Sequence, residues 1–95
     1  MSKLTLNSSV VLRQKDLVQA PNGDVLYMMN LKNGDYLYLN EVATQIWQRI
    51  KTPIVVAEVC RQLELVFAVP QEQCQSEVLA FLREIERRGN LDVRL

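Results

Sequence analysis

Gly34-Asp35-Tyr36-Leu37-Tyr38-Leu39-Asn40, followed at once by Glu41-Val42-Ala43-Thr44-Gln45-Ile46-Trp47, decides the fold of this 95-residue chain. Tyr36 and Tyr38 alternate with Leu37 and Leu39, so the segment reads as a short strand that is apolar or aromatic on both faces. From Glu41 the period changes to 3.6: Val42, Ala43, Ile46, Trp47 and Ile50 share one stripe, with Gln45, Gln48, Arg49 and Lys51 opposite it. Asn40 stands between the two periods, where its side chain can cap the helix. No Lys, Glu or Pro interrupts the strand to discourage pairing with another chain. Such an edge is covered either by the fold or by an incoming segment.

Before this stretch, Lys32-Asn33-Gly34-Asp35 is a turn that returns Val25-Leu26-Tyr27-Met28-Met29-Asn30 into Tyr36 to Leu39 as a hairpin, because Asn-Gly supplies the positive φ that tight reversals need. Pro21-Asn22-Gly23-Asp24 predicts an earlier turn. Val10-Val11-Leu12 is a short β-branched run, and Leu17-Val18-Gln19 is expected to continue it or to pair with it. After the strand the chain is helical. The first helix ends near Lys51, and Thr52 before Pro53 reads as an N-cap hydroxyl and a first-turn proline for a second helix. Val56, Val59, Cys60, Leu63 and Phe67 recur there at helical spacing, although Ile54-Val55-Val56 has poor helix propensity. Val69-Pro70 breaks the pattern, and a third helix runs from about Gln71 to Arg88. It closes with Arg87 and Arg88 at the negative end of the helix dipole, Gly89 in the left-handed C′ position, and Leu91 folding back. Leu91 to Leu95 is a tail able to add a short extended segment. Strands first and helices afterwards is the order of an α+β domain, here a single one spanning residues 1–95.

Eleven basic and eleven acidic side chains cancel, and the pI is 6.2, so no overall field attracts nucleic acid or an anionic membrane. Met1-Ser2-Lys3-Leu4-Thr5 lacks the long apolar segment of a secretory signal, and the longest apolar runs, Val25 to Met29 and Leu65 to Val69, are far too short to span a bilayer. A cytoplasmic protein is expected. Cys60 and Cys74 lie on apolar helix positions, and the chain has no histidine. That removes zinc-ligand patterns and Cys-His or Ser-His nucleophile pairs, and leaves the cysteines as small buried hydrophobes. Three glycines form no phosphate loop or dinucleotide fingerprint. Glu84 with Arg88 and Arg83 with Arg87 are spaced four apart on the third helix, the pattern of a solvated charged face. The residues therefore point to a protein that is not an enzyme and needs no metal or cofactor.

The third helix carries more apolar surface than one packing contact consumes, with Phe81, Cys74, Ile85, Val78, Leu82 and Leu79 fanning over nearly half its circumference. Either it packs between two elements of its own domain, or one edge around Cys74, Val78 and Phe81, with Glu77 beside it, forms a groove wall. The two-faced strand would supply the opposite wall, and a peptide could add to it as a further strand.

These residues together resemble a known family. Gly34-x-Tyr36-x-x-Leu39-Asn40-x-x-Ala43-x-x-Ile46-Trp47, then Thr52, then Glu77-Val78-x-x-Phe81-Leu82-x-x-Ile85-x-x-x-Gly89, is similar to the PqqD-like proteins, also called RiPP precursor peptide recognition elements. The resemblance covers about Val10 to Leu91. Glu77 stands where the family usually has Asp, and Asn90 separates Gly89 from the Leu that normally follows it. The resemblance implies a winged helix-turn-helix-like fold, a three-stranded antiparallel sheet followed by three helices. It also implies capture of the leader segment of a ribosomally made precursor as an added strand, in a cleft closed by the third helix. The peptide-binding positions expected are Met28, Tyr36, Leu37, Tyr38, Leu39, Cys74, Glu77, Val78 and Phe81. A short free-standing chain resembles the members serving lasso peptide pathways, whose partners are a leader peptidase and a macrocyclase. The pyrroloquinoline quinone pathway peptide chaperone is the alternative within the family. From other classes, a winged-helix DNA-binding regulator would need a basic recognition helix, whereas the second helix offers only Arg61. A purely structural subunit would need a large exposed patch. The resemblance leaves monomer and homodimer open.

Overall fold

In the computed structural model, which describes residues 4–94, the chain runs β1 (Ser9–Leu12), β2 (Leu17–Asn22), β3 (Val25–Asn30), β4 (Tyr36–Leu39), α1 (Glu41–Arg49), β5 (Ile54–Val55), α2 (Val56–Val66), α3 (Gln71–Arg87) and β6 (Leu91–Arg94). Met1, Ser2 and Lys3, read above for a targeting signal, and Leu95 lie outside the described residues. This is an α+β fold in which an antiparallel sheet, ordered β2-β3-β4, precedes three helices. No helix among the described residues is long and apolar enough to cross a membrane.

Both Asn-Gly pairs make the expected reversals. Gly23 takes a φ of 66° in a loop so tight that Asn22 pairs with Val25. The β3-β4 register sets Leu26 opposite Leu39, Met28 opposite Leu37, Tyr27 opposite Tyr38 and Met29 opposite Tyr36. Because side chains alternate along a strand, the first two pairs face the helices and the last two face outward.

β1 departs from the expectation that Leu17-Val18-Gln19 continues or pairs with Val10-Val11-Leu12. β2 pairs with β3 alone, whereas β1 lies at the centre of a second antiparallel sheet, ordered β5-β1-β6. Val10 lies opposite Ile54 on one side and Val93 on the other. The tail thus becomes a strand, and residues far apart in sequence close the domain.

The same pairing corrects the start of the second helix. Thr52 is exposed and does not cap it; Ile54 and Val55 are extended, as β-branched residues prefer, and α2 begins at Val56 with no side-chain cap. Its first two N–H groups donate instead to backbone carbonyls, Val56 to Ser8 at 2.9 Å and Ala57 to Leu6 at 2.9 Å. Helix N-termini need partners, and here a neighbouring segment supplies them. Phe67, expected to continue the stripe, is the extended residue that ends α2. α3 ends as expected: Gly89 has a φ of 80°, and the Asn90 N–H donates to the Ile85 carbonyl.

Leu39, Ile46, Trp47, Ile50, Val56, Val59, Leu63, Val78, Leu82 and Ile85 meet in one core cluster. α3 packs against α2, β6 and α1, so its wide apolar fan is consumed largely within the domain. Trp47 is fully buried, and its indole N–H has no acceptor among the described residues. That costs about 1–3 kcal/mol, which burial of so large a ring offsets.

Caps of different kinds make a direct test. Asn40 accepts the Ala43 N–H at 2.9 Å, so Asn40→Ala is expected to lower stability by about 1 kcal/mol. Thr52→Ala should change it by less than about 0.5 kcal/mol, as at an ordinary surface position. Urea unfolding followed by circular dichroism measures both.

Candidate functional site

The loop before β4 fixes which backbone groups face the open edge. Gly34, at a φ of 76°, donates its N–H to the Asn30 carbonyl at 2.7 Å, and the Asn30 N–H donates to the Asp35 carbonyl at 2.9 Å. Two residues thus oppose one, with glycine left-handed at the first: a β-bulge of the kind that tightens a hairpin end. Antiparallel ladders alternate between bonded and unbonded pairs. Counting from Asn30 and Asp35, Leu37 and Leu39 direct their N–H and C=O toward β3, and Tyr36 and Tyr38 direct theirs away.

No described strand lies on that side, since β4 is an end strand in the order β2-β3-β4. The opposite edge, β2, contains Pro21, which lacks a donor and blunts pairing. The two edges of one sheet therefore differ, one guarded and the other open.

α3 packs against α1, the helix that continues β4. Arg87 is held above its ordinary pKa by its hydrogen bond and charge attraction to Glu84, with a smaller contribution from Asp35. Glu84 is correspondingly held below the usual carboxylate range, chiefly by the Arg87 hydrogen bond. At the other end of β4, Asn40, Val42, Ala43, Ile46, Glu77, Ala80 and Phe81 line a cleft of about 370 Å3 between α1 and α3. A helix face carrying Glu77, Ala80 and Phe81, at three- and four-residue spacing, therefore forms one wall of this cleft.

The nine expected positions fall into distinct environments. Tyr36 and Tyr38 lie on the outer face, 74% and 54% exposed, and Tyr38 packs its ring against Tyr27 with centroids 5.2 Å apart. Leu37 and Phe81 are half-buried and pack against the core from either side of the groove. Glu77 is exposed on its rim and accepts a hydrogen bond from Gln73 Nε2 at 3.1 Å. Met28, Leu39, Cys74 and Val78 are buried in the core, with exposures of 3% or less. Asn40, Val42, Ala43 and Ala80 were not singled out. The first three served the cap and the core stripe, and Ala80 is too small to register as an anchor, although a small residue is what leaves a cleft open.

Cys74 and Cys60 are neighbours across the α2-α3 packing, with Cys74 Sγ 3.7 Å from the Cys60 carbonyl oxygen. Burial pushes the Cys60 thiol up to about 11 and raises Cys74 as well, so both are poor nucleophiles at neutral pH. Iodoacetamide at pH 8 is expected to label neither thiol in the folded protein and both in guanidinium. Mass spectrometry reads the difference, and rapid labelling of folded Cys74 would contradict its placement in the core.

No curated protein sequence matches the chain. A solved structure of TbiB1 in complex with the TbiA(beta) leader peptide matches its fold with a TM-score of 0.73, at 20% identity, over 82% of this chain and 91% of that one. The family described as coenzyme PQQ synthesis protein D (PqqD) matches residues 26–91, a span from β3 to β6 that contains the open strand and all three helices. The chain belongs to the PqqD family.

Proposed function

We propose that this protein is a non-catalytic recognition element that captures the leader segment of a ribosomally synthesised precursor peptide by adding it as a strand to β4. The observation that carries the reading is the free edge: the N–H and C=O of Tyr36 and of Tyr38 point away from β3, beside a helix with Phe81 and Ala80 on its groove face. The fold shared with a leader-peptide complex supports it, as does membership of the PqqD family. Bound leader would be presented to maturation enzymes, a leader peptidase and a macrocyclase, in a cytoplasmic lasso peptide pathway. The family's description favours a second reading, a peptide chaperone of the pyrroloquinoline quinone pathway. A DNA-binding role is disfavoured by the surface of α2, where Arg61 is engaged by Glu58 at 2.5 Å.

The magnitudes suffice. Two anchoring side chains buried at about 1.5–3 kcal/mol each, with a few strand bonds at about 1 kcal/mol net apiece, reach micromolar binding after the cost of ordering the peptide. Binding of this kind reads alternate side chains in the groove and leaves the others free, which suits a leader serving several enzymes in turn.

The probe is the synthetic leader encoded by a short open reading frame beside this gene, titrated by fluorescence anisotropy. Leu37→Asp and Phe81→Ala are each expected to weaken binding at least about tenfold, from the lost burial, while circular dichroism shows the fold retained. Tyr38→Pro removes an N–H that no β3 group uses and should likewise weaken the peptide without unfolding the hairpin. Unchanged affinity in the Leu37 and Phe81 variants would retire the proposal.

A further inference from the structure

A second recess adjoins the loop that leads from β3 into β4. Its volume is about 570 Å3, and its walls come from the β1-β2 loop, the β3-β4 loop and the residues after α3. Arg13, Lys15, Lys32 and Arg88 line it, against Asp16 as the one acidic residue on the wall. In a chain whose charges sum to zero, this is a local concentration of positive charge. Its cations are unequally engaged. Arg13 is paired with Asp92, and Arg88 Nε is buried 3.4 Å from Glu84 Oε1 in a geometry that makes no hydrogen bond. Lys15 and Lys32 form no ion pair among the described residues.

The recess is built into the backbone. The Leu31 N–H donates to the Asp16 carbonyl at 2.7 Å, and the Arg13 N–H donates to the Asn90 carbonyl at 2.8 Å, which ties the three walls together. The carbonyls of Glu84, Ile85 and Glu86 at the end of α3 accept the N–H groups of Arg88, Asn90 and Gly89 respectively. What remains is a basic bowl with two lysines unpaired among the described residues, bordered by the loop that leads into β4.

We propose that this bowl receives an acidic stretch of the bound peptide, immediately following the residues that pair with β4. The inference rests on the reading of β4 as a peptide-binding edge and adds a chemical requirement to it. A strand that continues the antiparallel alternation of β2-β3-β4 runs opposite to β4, so its carboxy-terminal end lies beside Tyr36 and the bowl. Carboxylates there meet Lys15 and Lys32, and the complementarity fixes direction and register, which backbone bonds alone leave free to slip. The leader is thereby read twice: by shape in the apolar groove, and by charge on the side that leads toward the remainder of the precursor.

The test uses the same synthetic leader in two forms, natural and with the Asp and Glu residues that follow its strand-pairing stretch replaced by Asn and Gln. The natural form is expected to bind about tenfold more tightly, with the advantage lost at high salt. Lys15→Glu combined with Lys32→Glu should weaken the natural form by a similar factor and leave the neutralised form unchanged, and the milder Lys15→Gln with Lys32→Gln should do so in part. Equal binding of both forms by the wild-type protein, or a leader with no carboxylate in that stretch, overturns the inference. If Leu37→Asp still weakens both forms, only the bowl has failed. No effect of Leu37→Asp on either form overturns the groove reading and this inference with it. Retention of a short DNA duplex that the charge-reversed variant releases, without discrimination between the peptides, assigns the bowl to nucleic acid and also overturns it.

Discussion

One junction holds the working parts of this protein in relation to each other: the step from β4 into α1 across Asn40. Leu39 is buried without remainder in the core, Asn40 turns the chain and accepts the Ala43 N–H, and Thr44 Oγ1 donates back to the Leu39 carbonyl at 3.0 Å. A strand and a helix joined by one residue, with bonds on both sides of the join, cannot swing independently. The edge of the sheet is therefore fixed against the helical layer, and the cleft between α1 and α3 opens at the point where the strand ends. Ile46 and Trp47 secure the helix from within, since neither can leave the core without exposing a large apolar surface.

The asymmetry of the β2-β3-β4 sheet follows from simple chemistry. β2 carries Pro21, which lacks an N–H donor and blunts pairing along that edge. β4 has no such guard, yet it is only four residues long and is bounded by the Gly34 bulge and the Asn40 cap. Short edges resist open-ended aggregation. Under the proposed reading, such an edge still accepts a single strand whose side chains fit the neighbouring helix. The open face of the same sheet, with Tyr27 and Tyr38 stacked obliquely, stiffens the hairpin from outside.

Charge acts at the margins of this arrangement. The ion pairs of α3 hold Glu84 below its usual range without burying it, and exposed pairs of this kind add little to stability. Their importance is positional. Arg87 and Glu84 occupy the helix end that faces the start of β4, and Arg88 contributes to the basic bowl. A neutral chain thus acquires a polar groove end by placing a few side chains together, with no overall field.

The strand, its cap, the amphipathic stripe of α1, the Asn-Gly reversals and the glycine-closed end of α3 were legible in the residues, because each depends on contacts within a few positions of chain. The same locality explains the family resemblance, which is concentrated in Tyr36 to Trp47 and in α3. Residue order alone could not show that Ile54 and Val55 would leave the second helix to pair with Val10, making a carbonyl of Ser8 the cap that Thr52 was expected to provide. Nor could it show the tail closing the same sheet, or that four of the nine expected peptide-binding positions would be buried. Those outcomes are decided by backbone hydrogen bonds between segments more than forty positions apart, whose partners are chosen only when the whole core packs. Local periodicity determined what most segments are. The tertiary structure decided which edge stays open, because an edge is free only once every other strand has found its neighbour.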